Sequence, residues 1–138
     1  MKQTNVLIVD DDLIVVEIIK SIVTNAGYRP VVAMNSTILS TRRVLDFDTI
    51  ILDLWLSDGH FESSLQALAQ VGYKGGVILV SGLHCELFDA AQMATNLGLD
   101  LLSYIHKPIR SDILLTALAR MEFSVAARRA KLLAPAKR

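Results

Sequence analysis

Val6-Leu7-Ile8-Val9-Asp10-Asp11-Asp12 is a run of four branched apolar residues that stops abruptly at three carboxylates. Four to eight continuous apolar residues, rich in β-branched types, mark a strand buried on both faces. Three more runs read the same way: Pro30 to Ala33, Thr49 to Leu52 and Val77 to Val80, with a less regular fifth around Leu101 to Ile105. Between them apolar residues recur at helical spacing, as in Val15, Ile18, Ile19, Ile22 and Val23, and again in Leu87, Ala90, Ala91, Ala94 and Leu97. The order is strand then helix, five times. Gly27, Gly72 and Gly98 stand where the first, third and fourth helices should end, and Asp12 and Ser111 where the first and fifth should begin. Strands alternating with helices predict a parallel sheet covered by helices on both sides.

The composition agrees with one α/β domain and a tail. At 138 residues and 52% apolar, the chain can build one core and little more. The first apolar run is too short for a signal peptide or a membrane span, so a cytoplasmic protein is expected. A single cysteine, Cys85, excludes an internal disulfide and any multi-cysteine zinc site, and His60, His84 and His106 lack metal-ligand spacing. Net charge is zero, yet residues 1–106 carry 12 acids and 6 bases, and residues 107–138 carry 2 acids and 8 bases. The basic end includes Arg128, Arg129, Lys131, Lys137 and Arg138, and reads as a solvated helix end and linker. Apolar spacing through Ile113, Leu114, Ala117, Leu118 and Met121 continues to Val125 and Leu132, so the fifth helix is expected to extend beyond the domain body.

In an open parallel sheet, ligands bind at the carboxyl ends of the strands. Here those ends carry Asp10, Asp11 and Asp12, then Asp53, Ser81, and His106-Lys107-Pro108. Any one of these has an ordinary reading as a cap or a solvated side chain. Together they place carboxylates, a hydroxyl and an ammonium on one rim. Several carboxylates repel one another unless a hard cation sits among them, and Mg²⁺ favours such oxygen ligands. With Mg²⁺ present, a carboxylate can attack phosphorus while the metal, a lysine and a hydroxyl stabilise the transferring oxygens.

The stretches Val9-Asp10-Asp11, Ile51-Leu52-Asp53-Leu54, Leu79-Val80-Ser81-Gly82 and Tyr104-Ile105-His106-Lys107-Pro108 resemble, in order and spacing, the response-regulator receiver family of two-component signal transduction. The resemblance covers residues 4–122. It implies a flavodoxin-like (βα)5 fold, a doubly wound parallel five-stranded sheet of order 2-1-3-4-5. It implies that Asp53 is the phosphoacceptor and that Asp10, Asp11, Asp53 and the Trp55 carbonyl hold Mg²⁺, Asp11 directly and Asp10 largely through water. Ser81 and Lys107 would contact the phosphoryl group, the Lys107–Pro108 bond would be cis, and Tyr104 would reorient after Ser81 moves. The domain would span residues 1–122, with residues 123–138 a basic helical extension or linker. Two positions depart from the family pattern: Ser57 stands where proline is usual, and Phe61 where glycine opens the third helix.

The implied partners are a sensor histidine kinase or phosphotransfer protein and, through the face of the fourth helix, fifth strand and fifth helix, a second copy or a C-terminal output domain. Neither membrane nor direct nucleic-acid binding is expected. Ser81-Gly82-Leu83, Gly98-Leu99 and Tyr104 to Ile109 are similar to receivers that precede EAL-type cyclic-di-GMP phosphodiesterase domains. Two other readings compete. A haloacid-dehalogenase-type phosphatase would use Asp10 and Asp12, but needs an acidic pair after the lysine where only the widely spaced Asp112 and Glu122 follow. A pseudo-receiver acting only as an interaction module would not need the complete set of acids, Ser81 and Lys107.

Overall fold

The computed structural model describes residues 3–133. Five parallel strands form the main sheet: β1 (Asn5–Val9), β2 (Arg29–Ala33), β3 (Thr49–Asp53), β4 (Gly76–Ser81) and β5 (Asp100–His106). Their spatial order is β2-β1-β3-β4-β5, the flavodoxin-like order that the family resemblance implies. Four α-helices pack on it: α1 (Leu13–Asn25), α2 (Phe61–Gln70), α3 (His84–Asn96) and α4 (Ser111–Leu133).

Alternation along each strand divides the core into two layers. Leu7, Val9, Ile50, Leu52, Val77 and Leu79 face the side covered by α2 and α3. Val6, Ile8, Ile51, Ile78, Val80 and Ile105 face the side covered by α1 and α4. Both faces of the central strands are therefore dry, which is why their sequences read as unbroken apolar runs. The carboxyl ends of all five strands consequently open on one rim, where the polar residues begin.

The helix expected between β2 and β3 does not form. Two 3₁₀ turns, Thr37–Ser40 and Arg42–Asp46, take its place. Side chains in this stretch bond to nearby backbone: the Thr37 N–H donates to Asn35 Oδ1, and the Ser40 and Thr41 hydroxyls donate to the Thr37 and Ile38 carbonyls. Such bonds compete with helical ones. Only Leu39 and Val44 are buried here, a spacing that no continuous helix face supplies.

The other helices follow the sequence with two corrections to their faces. Asp12 caps α1, its carboxylate accepting from the Ile14 and Val15 N–H groups, a cap typically contributing about 1 kcal/mol. Gly27, Gly72 and Gly98 follow α1, α2 and α3 with φ of 93°, 76° and 78°, the left-handed conformation that ends a helix without a Cβ clash. In α1 the buried residues are Val16, Ile19 and Val23, whereas Ile18 is exposed. In α4 Leu114, Ala117, Leu118 and Met121 are buried and Ile113 is exposed, because each helix meets the sheet along a narrower stripe than the apolar spacing suggests. Ser111 is the first residue of α4. That helix runs unbroken past Glu122, with Val125 still packed on the core and Phe123 exposed. The side chains of Arg128, Arg129 and Leu132, and all of Lys137 and Arg138, lie outside the described residues.

Candidate functional site

Two neighbouring strand ends bring the three acidic residues together. Asp10 directly follows β1 and is 1% exposed, Asp53 ends β3 at 4%, and Asp11 is partly buried beside them. One carboxylate oxygen from each lies within 4.8 Å of the others. Lys107, just beyond β5, reaches across the rim, its Nζ 3.4 Å from Asp10 Oδ2 and 3.6 Å from Asp53 Oδ1. Ser81, the last residue of β4, is fully buried.

Backbone groups hold these side chains in place. Asp10 Oδ1 accepts from the Asp12 N–H at 2.9 Å, and Asp53 Oδ1 from the Trp55 N–H at 3.2 Å. Asp11 Oδ2 accepts from the Ser57 N–H at 3.0 Å. Ser81 accepts twice, from the Leu83 N–H at its Oγ and from the Lys107 N–H at its carbonyl. The Lys107–Pro108 peptide bond is cis.

The electrostatics are unbalanced. Burial raises the Asp53 carboxyl above the ordinary carboxylate range, and the Asp10 charge adds to this, with Asp11 a smaller contributor. The Trp55 N–H and the Lys107 ammonium oppose the shift. Asp10 Oδ2 is buried and accepts no hydrogen bond; the lysine attracts it as a charge without the alignment of a bond. A buried carboxylate oxygen left without a donor is costly. Three convergent carboxylates, one with an unused oxygen, fit a hard divalent cation such as Mg²⁺.

The sequence did not announce the loop after β3. Trp55–Leu56 and Gly59–His60 pair as a short antiparallel hairpin before α2 begins at Phe61. Asp58 at its tip accepts from both the N–H and the hydroxyl of Ser36, which hold its carboxyl below the usual range. Trp55 projects from the hairpin, 60% exposed, and borders a cleft of about 400 Å³ with His60, Phe61, Glu62 and Glu86. Asp12 serves as the α1 cap, and His60 precedes α2 without capping it through its side chain. Tyr104 stands on β5, half exposed at the edge of the sheet beside α3.

Residues 6–119 match the family model described as the response regulator receiver domain. The chain belongs to this receiver family. The receiver is 33% identical over 126 residues to an NtrX-like response regulator of Rickettsia bellii; the match takes in 87% of this chain and 25% of that protein's length. Its fold matches the signal receiver domain of a Luxo repressor protein from Vibrio parahaemolyticus with a TM-score of 0.79 at 21% identity, over 94% of this chain and 98% of the other. A response regulator from Colwellia psychrerythraea matches with a TM-score of 0.75 at 26% identity, over 91% and 99%. Among the described residues of the receiver, no helix is long and apolar enough to cross a membrane.

Proposed function

We propose that this receiver takes a phosphoryl group onto Asp53 from a sensor histidine kinase or phosphotransfer protein in the cytoplasm. One observation carries the reading: Asp53 is a buried strand-end carboxylate that shares a 4.8 Å cluster with Asp10 and Asp11 and lies 3.6 Å from the Lys107 ammonium. Asp10, Asp11, Asp53 and the Trp55 carbonyl would hold Mg²⁺. When bound, the ion supplies positive charge that keeps Asp53 ionised and neutralises the incoming phosphoryl oxygens.

The chain's own groups do the rest. An Asp53 carboxylate oxygen forms a bond to phosphorus as the donor's bond to phosphorus breaks. Lys107 pairs with the phosphoryl group, and Ser81 turns its hydroxyl towards a phosphoryl oxygen. Tyr104 then reorients, and the face of α3, β5 and α4 carries the change to a second copy or an appended output domain. On this reading the domain is a signalling switch and does not turn over a separate substrate.

The test is incubation with Mg²⁺ and a small phosphodonor, followed by mass spectrometry. Phosphate on Asp53, lost in Asp53→Asn, supports the reading. Phosphate on another residue, or none together with no beryllofluoride binding, overturns it and favours a pure interaction module.

A further inference from the structure

His84 opens α3 and His106 ends β5, and their rings stack with centroids 3.9 Å apart and planes 16° from parallel. The lone pairs of an imidazole lie in its ring plane, so the lone pairs of two nearly parallel rings run side by side and do not converge on a metal. The pair is built for contact.

That contact closes a short loop. His84 is three residues beyond Ser81, and His106 immediately precedes Lys107. At one end of the loop the Ser81 Oγ accepts the Leu83 N–H at 3.1 Å; at the other, the ring of His84 rests on His106. Ser81 and His106 are also register partners between β4 and β5, and the Lys107 N–H donates to the Ser81 carbonyl at 2.8 Å. If the Ser81 Oγ swings towards a phosphoryl group on Asp53, it carries its acceptor away from the Leu83 N–H unless the loop follows. The far end of the loop is held by the His84 ring on His106 and by the Leu87 N–H, which donates to the Leu83 carbonyl at 3.2 Å. Gly82, between these anchors, has no atom within 4 Å of where a Cβ would stand, so the loop has room to move.

We propose that the stack of His84 on His106 is a latch that holds the loop from Ser81 to His84 in its resting position, making His84 and His106 positioning residues that set how readily Ser81 turns to the phosphoryl group. The inference rests on the reading of Asp53 as phosphoacceptor. Releasing the latch favours the phosphoryl-bound arrangement, because the loop no longer loses an aromatic contact when it moves.

The experiment uses the full chain with Mg²⁺ and beryllofluoride. His84→Ala tightens beryllofluoride binding about three- to ten-fold, the range that aromatic pair energies correspond to. His84→Phe, which can still stack, keeps the wild-type affinity. His106→Ala matches His84→Ala, and the double variant shows no further gain, as expected for two partners in one contact. Without ligand, exchange of the Leu83 amide quickens in His84→Ala and not in His84→Phe. Equal behaviour of the alanine and phenylalanine variants in amide exchange, or additive effects of the two alanines, overturns the latch. Failure of the wild type to bind beryllofluoride overturns the reading of Asp53, and the amide-exchange comparison then decides the latch by itself.

Discussion

The backbone N–H of Ser57 donates to Asp11 Oδ2 at 3.0 Å, joining the hairpin after β3 to the acidic pair after β1. Proline, the usual residue at this position on the family resemblance, has no N–H to give. The bond draws on a carboxylate of the cluster that could hold a cation. Ser57→Pro is therefore expected to tighten Mg²⁺ binding about two- to ten-fold, the factor corresponding to one net hydrogen bond. Trp55, the single tryptophan, stands exposed beside the site and reports the titration by fluorescence. Weaker binding in the variant would mean that the Ser57 bond holds Asp11 ready for the ion.

Asp53 is raised by burial and by the neighbouring carboxylates, so ionising it disfavours the folded state. With the folded pKa above the unfolded one, its stabilisation is present below the unfolded pKa and is lost as pH rises through the folded value. Asp53→Asn removes that loss. In metal-free buffer at neutral pH, its melting temperature is expected to exceed the wild type's by a few degrees. Added Mg²⁺ is expected to stabilise the wild type and to do little for the variant. A lower melting temperature for the variant in chelator would contradict the repulsion.

The Lys107 ammonium lies within 4 Å of both Asp10 and Asp53, and its charge lowers the Asp53 pKa. Lys107→Met is expected to reduce phosphoryl uptake about ten-fold or more, since it removes a charge from the transferring group. The same change pushes the Asp53 carboxyl further up. Circular dichroism checks that the fold survives; uptake at the wild-type rate would remove Lys107 from the mechanism.

At the opposite end of the sheet, the Tyr28 hydroxyl donates to Glu122 Oε1 at 2.6 Å, tying the turn before β2 to α4. Burial and this bond push the phenol up to about 12. The linked stability is complete below the ordinary tyrosine value near 10 and is lost as pH rises through about 12. Tyr28→Phe is expected to cost about 0.5 kcal/mol at neutral pH, the low end for a hydrogen bond because the pair is largely solvated. Denaturant titrations should show the two proteins converging as pH rises from 10 to 12, and a constant gap would refute the assignment.

The sequence exposed the sheet because its central strands are dry on both faces, leaving Val6 to Val9 and Val77 to Val80 without a polar residue. It exposed the acidic rim because β1, β3, β4 and β5 end abruptly at Asp10, Asp53, Ser81 and His106-Lys107, groups that cost energy to bury. The stretch from Asn35 to Asp46 was misread as a helix because its local side-chain bonds have no periodic signature. The hairpin at Trp55 and His60 was hidden for another reason: two paired residues a side are below any pattern length. The Ser57 bond to Asp11 and the stack of His84 on His106 join residues 46 and 22 positions apart, and only the strand order brings them together.

Output is the last link, and the edge of the sheet offers the surface for it. Phe88 on α3 and Tyr104 on β5 are 63% and 52% exposed, and they border a shallow groove with Ala91, Gln92, Thr95 and Leu101. Two large aromatics left in water on an edge strand and its neighbouring helix gain by association. Movement of Tyr104 after Ser81 turns would change the shape of that groove, so affinity for a partner should depend on phosphorylation. A coupling of about 1–3 kcal/mol is typical of such switches and changes partner affinity roughly 5- to 150-fold. Beryllofluoride with Mg²⁺ is therefore expected to shift sedimentation towards a dimer at concentrations where the untreated chain is monomeric. Phe88→Ala and Tyr104→Ala should each weaken the shift while leaving beryllofluoride binding within a few-fold of wild type. A chain ending at Glu122 separates the two surfaces available: retention of the dimer assigns it to the α3 and β5 edge, and its loss assigns it to the far end of α4, where Phe123 is 80% exposed. No shift in any of these chains, with beryllofluoride bound, would exclude self-association as the output of this face.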